Sequence, residues 1–213
     1  MTTKLKVYNE ALRYCKERKI ADLTEDREPR RVLDDVWDNG GVNACLEEGQ
    51  WKFATRTVRI DNDPAVTTDF GYRFAFSKPT DWVATLSVCS DEYFDVPLTR
   101  YSHENDFWYS DLNLIYVKYV SDDAAYGNDL SLWPTTFTNY VSAHFAREIV
   151  GKLTSAVETI EQVNVIYDKN KLLAKNNDAQ NQPQRFPASG SFVNSRFHLR
   201  TNRDRGNRGR LIG

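Results

Sequence analysis

Phe137-Thr-Asn-Tyr140-Val141-Ser-Ala-His144-Phe145-Ala-Arg-Glu-Ile149-Val150-Gly151-Lys-Leu153 is the stretch whose reading decides the fold. Its large apolar side chains return every three or four residues, the spacing that lines them up along one stripe of an α-helix. Trp133-Pro134 just ahead puts proline near the first helical turn, where its missing N–H is no loss. Downstream, Ser155 followed by Glu158 has the pattern of a capping box and predicts a new helix. Ala156, Ile160, Val163 and Tyr167 would line the inner face of that helix. Its pattern continues through Leu172-Leu173 and fades in Lys175-Asn-Asn-Asp. The short connection from Gly151 to Ser155 makes the two helices antiparallel neighbours.

Upstream the period changes. Thr55-Arg-Thr-Val-Arg-Ile60 alternates and is β-branched, which predicts a strand, and Asp61-Asn-Asp-Pro64 predicts a turn. Aromatics alternate at 70, 72, 74 and 76; Trp82 to Val88 is a further apolar stretch. Trp108-Tyr109, Ser110-Asp111 and Leu112 to Val120 have the layout of a hairpin. Farther upstream, Val7, Ala11, Tyr14 and Cys15 predict a helix over Leu5 to Lys16. Asp26 with Pro29 gives an acidic cap and an early proline, and Val32, Leu33, Val36 and Trp37 share one face. Gly40-Gly41 ends or kinks that helix, since two glycines cost about 2 kcal/mol relative to alanine. The pattern resumes through Val42, Cys45 and Leu46. From 182 onward no helical or strand period survives.

The fold class expected is therefore α+β, mainly α: an antiparallel helical bundle with an inserted β-rich, hairpin- or barrel-like segment and an extended C-terminal tail. The parts are N-terminal bundle helices (1–50), the insertion (51–129), a C-terminal helix pair (130–181) and a basic tail (182–213).

Composition narrows the function. No apolar run approaches the roughly 18 residues of a membrane helix. Met1-Thr2-Thr3-Lys4 lacks a signal peptide's apolar stretch. The expectation is a protein made and kept in a cytoplasm, with no membrane partner. Cys15, Cys45 and Cys89 form no CxxC pair and read as reduced, buried thiols. His103 lies in a polar loop with no nucleophile motif beside it, His144 on the apolar stripe, where it reads as a satisfied core or interface histidine rather than a ligand, and His198 in the tail. The pairs Asp34-Asp35, Asp91-Glu92 and Asp122-Asp123 point their carboxylates in different directions and read as caps, turns and a solvated face. With no phosphate loop, dinucleotide fingerprint or H-E-x-x-H, no catalytic residue, metal or cofactor is expected.

Charge is divided. Residues 183–213 hold seven arginines and one aspartate, a net +6; the whole chain carries −2, which leaves −8 on the remainder. Arg203, Arg205, Arg208 and Arg210 alternate with glycines in a pattern suited to phosphate binding. Phe186, Phe192, Val193, Phe197 and Leu199 punctuate the same tail, and Leu211-Ile212 closes it. Together they favour docking on a protein partner.

Six stretches resemble one family. Leu23-Thr-Glu-Asp-Arg-Glu-Pro-Arg-Arg-Val-Leu-Asp-Asp-Val-Trp37 is similar to the N-terminal signature of phage tail tubular protein A-like head-to-tail adaptors. Phe70-Gly-Tyr-Arg-Phe-Ala-Phe-Ser-Lys-Pro-Thr-Asp-Trp82 and Cys89-Ser-Asp-Glu-Tyr-Phe94 resemble its middle. Tyr116-Val-Lys-Tyr-Val-Ser-Asp-Asp123 and Asp129-Leu-Ser-Leu-Trp-Pro134 resemble the segment leading into its third helix. Arg203-Asp-Arg-Gly-Asn-Arg-Gly-Arg-Leu-Ile-Gly213 resembles its C-terminus. The resemblance implies a virion protein at the head–tail junction, in a ring of about twelve copies, as closed cyclic symmetry allows. The ring would join the portal protein to the tail nozzle, tail tubular protein B, and continue the channel for double-stranded DNA. An acidic body would let the genome slide. On this expectation Phe192, Arg196, Phe197, Arg200, Arg203, Arg205, Arg208, Arg210, Leu211 and Ile212 dock on the portal. Trp37, His144, Arg30 and Arg31 are candidates for the contact between subunits. A nucleic-acid-binding protein gripping through its Arg/Gly tail is the alternative.

Overall fold

The computed structural model describes residues 2–181; the ten tail positions expected to dock on a portal, and His198, lie outside the described residues. Within them the architecture is α+β, with five α-helices and two small antiparallel sheets.

Helix α1 (Lys4–Tyr14) is capped by Thr3, whose hydroxyl accepts from the Lys6 N–H, and buries Val7, Tyr8, Ala11 and Leu12. Helix α2 (Glu28–Asp38) has proline in its first turn, but Arg27 rather than Asp26 stands at its N-cap. Asp26 pairs instead with Arg31 on the surface. The glycines split the helix: Gly40 takes φ +82°, a conformation that costs an L side chain about 1 kcal/mol or more, and α3 (Gly41–Glu47) follows. A Cβ on Gly41 would lie 2.7 Å from the Val36 carbonyl oxygen, so the close approach of α3 to the end of α2 requires glycine.

Helix α4 (Thr135–Leu153) packs against all four other helices. Its predicted apolar stripe is buried from Phe137 to Val150 and half-buried at Leu153, and Thr138, Ser142, Ala143 and Ala146 are buried beside it. The two hydroxyls donate to carbonyls one turn back, Thr138 to Pro134 and Ser142 to Thr138, so neither hydroxyl is stranded. Helix α5 (Val157–Gln180) runs antiparallel to it: Asn177 near its end meets Thr136, while Tyr167 farther back meets His144. The capping box does not form. Ala156 is the N-cap, and the Thr154 hydroxyl accepts the Ala156 N–H in place of the expected Ser155–Glu158 exchange. Val163, Tyr167 and Ala174 face the core, whereas Ala156, Leu172 and Leu173 are exposed.

Between α3 and α4 lies the β-rich region. Strands β1 (Thr55–Asp61), β6 (Leu114–Ser121) and β3 (Trp82–Cys89) form one sheet in the order β1-β6-β3. Strands β2 (Phe74–Ser77), β5 (Phe107–Ser110) and β4 (Ser102–Glu104) form the other, in the order β2-β5-β4. The expected 108–120 hairpin is absent, because β5 and β6 belong to different sheets. Alternation is the same for a strand paired with its neighbour and for one facing a second sheet, so the pattern could not tell them apart. The aromatic run from 70 becomes strand only at Phe74, since Phe70 stacks instead on Tyr72 and Tyr109. Ile115, Val117 and Tyr119 of β6 point with Val88 into a second core that holds Phe76 and Trp108 of the other sheet.

The helical core and the β region are joined through Phe137. Its ring lies 4.7 Å from Phe53, 4.8 Å from Trp51 and 5.0 Å from Trp133, centroid to centroid. Both indoles are satisfied, Trp51 by the Cys45 carbonyl and Trp133 by the Gly127 carbonyl. Phe137→Ala is expected to cost about 3–5 kcal/mol through the cavity it leaves, read as a lowered chemical-denaturation midpoint.

Candidate interaction surfaces

Three carboxylates organise the polar side chains, each at a seam between elements. Asp34 on α2 accepts from the Tyr8 hydroxyl at 2.8 Å and pairs with Lys4 at 3.2 Å and with Arg30 one turn earlier. Burial alone would raise its pKa, but the bonds from Tyr8 and Lys4 outweigh burial and hold it below the usual range. Lys4 also lies over the Trp37 ring, 5.0 Å from its centroid, and Trp37 packs edge-on against Tyr8 and Phe145.

Glu48, just past α3, accepts from Tyr140 of α4 at 2.6 Å and from Tyr167 of α5 at 3.3 Å, and pairs with Lys171 at 2.6 Å. Here too burial acts upward and loses to the bonds from Lys171 and Tyr140, so the carboxylate titrates low. Burial and this carboxylate push the Tyr140 phenol far up, so it stays protonated as the donor.

Asp81, before β3, takes hydrogen bonds from Arg56, Tyr119 and Ser121 and so ties β1, β6 and the start of β3 together. Its pKa is again depressed against the effect of burial by these bonds. Lys52 makes a fourth link: its N–H and its ammonium both bond Asp178 near the end of α5.

The four residues expected at a subunit contact do not form one site. Trp37 is half-buried on α2 against Phe145. Arg30 is half-buried and engaged with Asp34 and the Glu25 carbonyl. Arg31 is exposed beside Asp26. His144 faces Tyr167 on α5, a different neighbour from that of Trp37. Its Nδ1 is buried without a hydrogen-bond partner, and burial lowers its pKa, so the ring is held neutral. The expectation of a satisfied histidine is corrected at that atom.

His103 is exposed, with its ring against Trp82, beside Lys78. The cysteines are free and buried as expected; burial pushes the Cys15 thiol up to about 12. Asp91 and Asp123 serve turns, accepting N–H groups of Asp95, Val96 and Ala125. Among the described residues no cluster of acidic, histidine and cysteine side chains could hold a metal ion. No described helix is long and apolar enough to cross a membrane.

What the sequence reading missed is exposed apolar surface. Val157, Val165, Leu172 and Leu173 of α5 stand open, Val165 and Leu172 at 68% and 61% exposure, on the side of the helix away from Val163 and Tyr167. Phe70, Tyr93 and Val96 are open in the β region. The seven-residue step from Val165 to Leu172, out of phase with 160, 163 and 167, was the available signal. No protein-family model and no curated protein matches the chain.

Two outcomes follow for stability. Glu48→Ala leaves the buried Tyr140 hydroxyl without its acceptor and should cost roughly 1–3 kcal/mol, measured by thermal melting against wild type. The depressed carboxylates Asp34, Glu48 and Asp81 contribute stability above their unfolded pKa values. That contribution is lost as pH falls through the folded ones, so a plateau above about pH 5 should give way to a fall below about pH 4. In Glu48→Ala the fall should be shallower.

Proposed function

We propose that the chain is a structural head-to-tail adaptor of a tailed bacteriophage. It assembles in a ring of about twelve copies between the portal protein and the tail nozzle, tail tubular protein B. The ring continues the channel through which double-stranded DNA passes without sequence-specific contact. In this reading the helices form an antiparallel bundle that builds the ring, and the β-rich part at 51–129 is an insertion. The tail docks on the portal through its arginines and through Phe192, Phe197, Leu211 and Ile212. The protein belongs at the head–tail junction of the virion. No catalytic residue, metal or cofactor has a part in it.

The observation that carries an assembly role is apolar surface left open on two separate parts of the fold, α5 and the Phe70–Val96 region. Large apolar side chains grouped in water mark a face that a neighbour covers. The six stretches similar to head-to-tail adaptors favour a phage particle as that neighbour, and the acidic −8 on the chain outside the tail suits a wall that repels DNA phosphates.

The test is to mix the chain with its cognate portal ring and follow the mixture by sedimentation and cryo-electron microscopy. The expected result is a discrete larger particle with a second ring on the portal. Deleting 183–213 should weaken association by about tenfold or more. No association at moderate salt counts against the adaptor. The Arg/Gly pattern at 203–210 favours the second reading, a nucleic-acid-binding tail. That reading instead gives submicromolar filter binding whose affinity falls steeply with salt and disappears on the same deletion.

A further inference from the structure

Helix α5 is apolar on two opposite sides. One side, Val163, Tyr167 and Ala174, is buried in the core. The other carries Val165 and Leu172, seven residues apart and so within about 20° of each other around the helix. Four of the ten exposed large apolar side chains among the described residues are on this one element. A helix with apolar stripes on both sides has two neighbours, and the fold supplies only one.

The charges flanking the open stripe identify the second. Glu158, Glu161 and Asp168 lie in the first half of α5, and Lys169 and Lys175 in the second. None of these five makes an ion pair among the described residues. Lys171 and Asp178, by contrast, are engaged with Glu48 and Lys52. A surface that is acidic at one end and basic at the other complements itself when turned end over end. A parallel copy would set like charge on like charge.

We propose that the outer face of α5 pairs antiparallel with the same face of a second copy of this chain. The two-fold axis passes between Asp168 and Lys169. Val165 of each copy packs on Leu172 of the other, Asp168 meets Lys169 twice across the axis, and Gln162 and Glu161 face Lys175 and Asn176. The contact is isologous and closes at two. It is therefore a state of the free protein that covers the same α5 face invoked above for assembly, and because it is tested without the portal, its failure and that of the adaptor reading are distinguishable. One helix pair buries less than the roughly 1,200 Å² of a stable complex, so the dissociation constant is expected at roughly 10–100 μM.

Sedimentation equilibrium of the full chain, from about 1 to about 500 μM, should give a monomer–dimer transition. Leu172→Glu, at an exposed position, should weaken it by about tenfold or more while the melting temperature holds. Asp168→Lys should weaken it, and adding Lys169→Asp should restore it. Under mild oxidation, Val165→Cys combined with Leu172→Cys should yield a covalent dimer, and either change alone should not. A monomer at every concentration overturns the pairing, as does a dimer indifferent to Leu172→Glu. Cross-linking by Leu172→Cys alone overturns the antiparallel register.

Discussion

The structure depends on the enclosure of α4. A helix buried on nearly every side can carry almost no unsatisfied polar group, and the sequence of α4 meets that condition. Its small positions, Ala143 and Ala146, let neighbours approach, and its hydroxyls at 138 and 142 return to its own backbone. At its first turn Phe137 is surrounded by Trp51 and Phe53, where the chain enters the β-rich region, and by Trp133, just after the chain leaves it. Removing more than 70 residues from a helical chain and returning it to the same place requires a fixed point, and this aromatic contact provides one.

The carboxylates complete what apolar packing leaves unspecified. Hydrophobic contact is non-directional, so it can hold α3, α4 and α5 together without fixing how they are rotated. Glu48 reaching Tyr140, Tyr167 and Lys171 supplies direction, as Asp34 does for α1 and α2 and Asp81 does for β1, β3 and β6. Each is taken up by donors from more than one element, and Asp34 and Asp81 are half-buried as well. Such groups are poor candidates for chemistry on a substrate, because their lone pairs are already engaged inside the chain.

Surface and interior therefore divide the work. Among the described residues the buried side-chain polar atoms are satisfied except His144 Nδ1. The apolar groups are not all covered, and those left open concentrate on α5 and in the Phe70–Val96 region. Apolar side chains left open in water mark surface that a neighbour can cover.

The helices α1, α4 and α5, the break at Gly40-Gly41 and strands β1 and β3 were legible from period and glycine placement, because those signals act within a few residues. Local patterns also suggested a hairpin over 108–120, caps at Asp26 and Ser155 and an inner-face Ala156, and the structure has none of them. A cap depends on where the chain arrives from, and a strand's partner depends on which sheet is in reach. Which apolar face of a helix is buried depends on how many neighbours it has. No pattern in the sequence marked Glu48 or Asp81, whose donors lie up to 119 and 40 residues away. By itself the sequence determined the elements, the buried thiols and the division of charge, since these follow from the identity and spacing of side chains. Only the tertiary structure decided strand pairing, the carboxylate seams and the open face of α5, because each is a relation between segments that nothing local can encode.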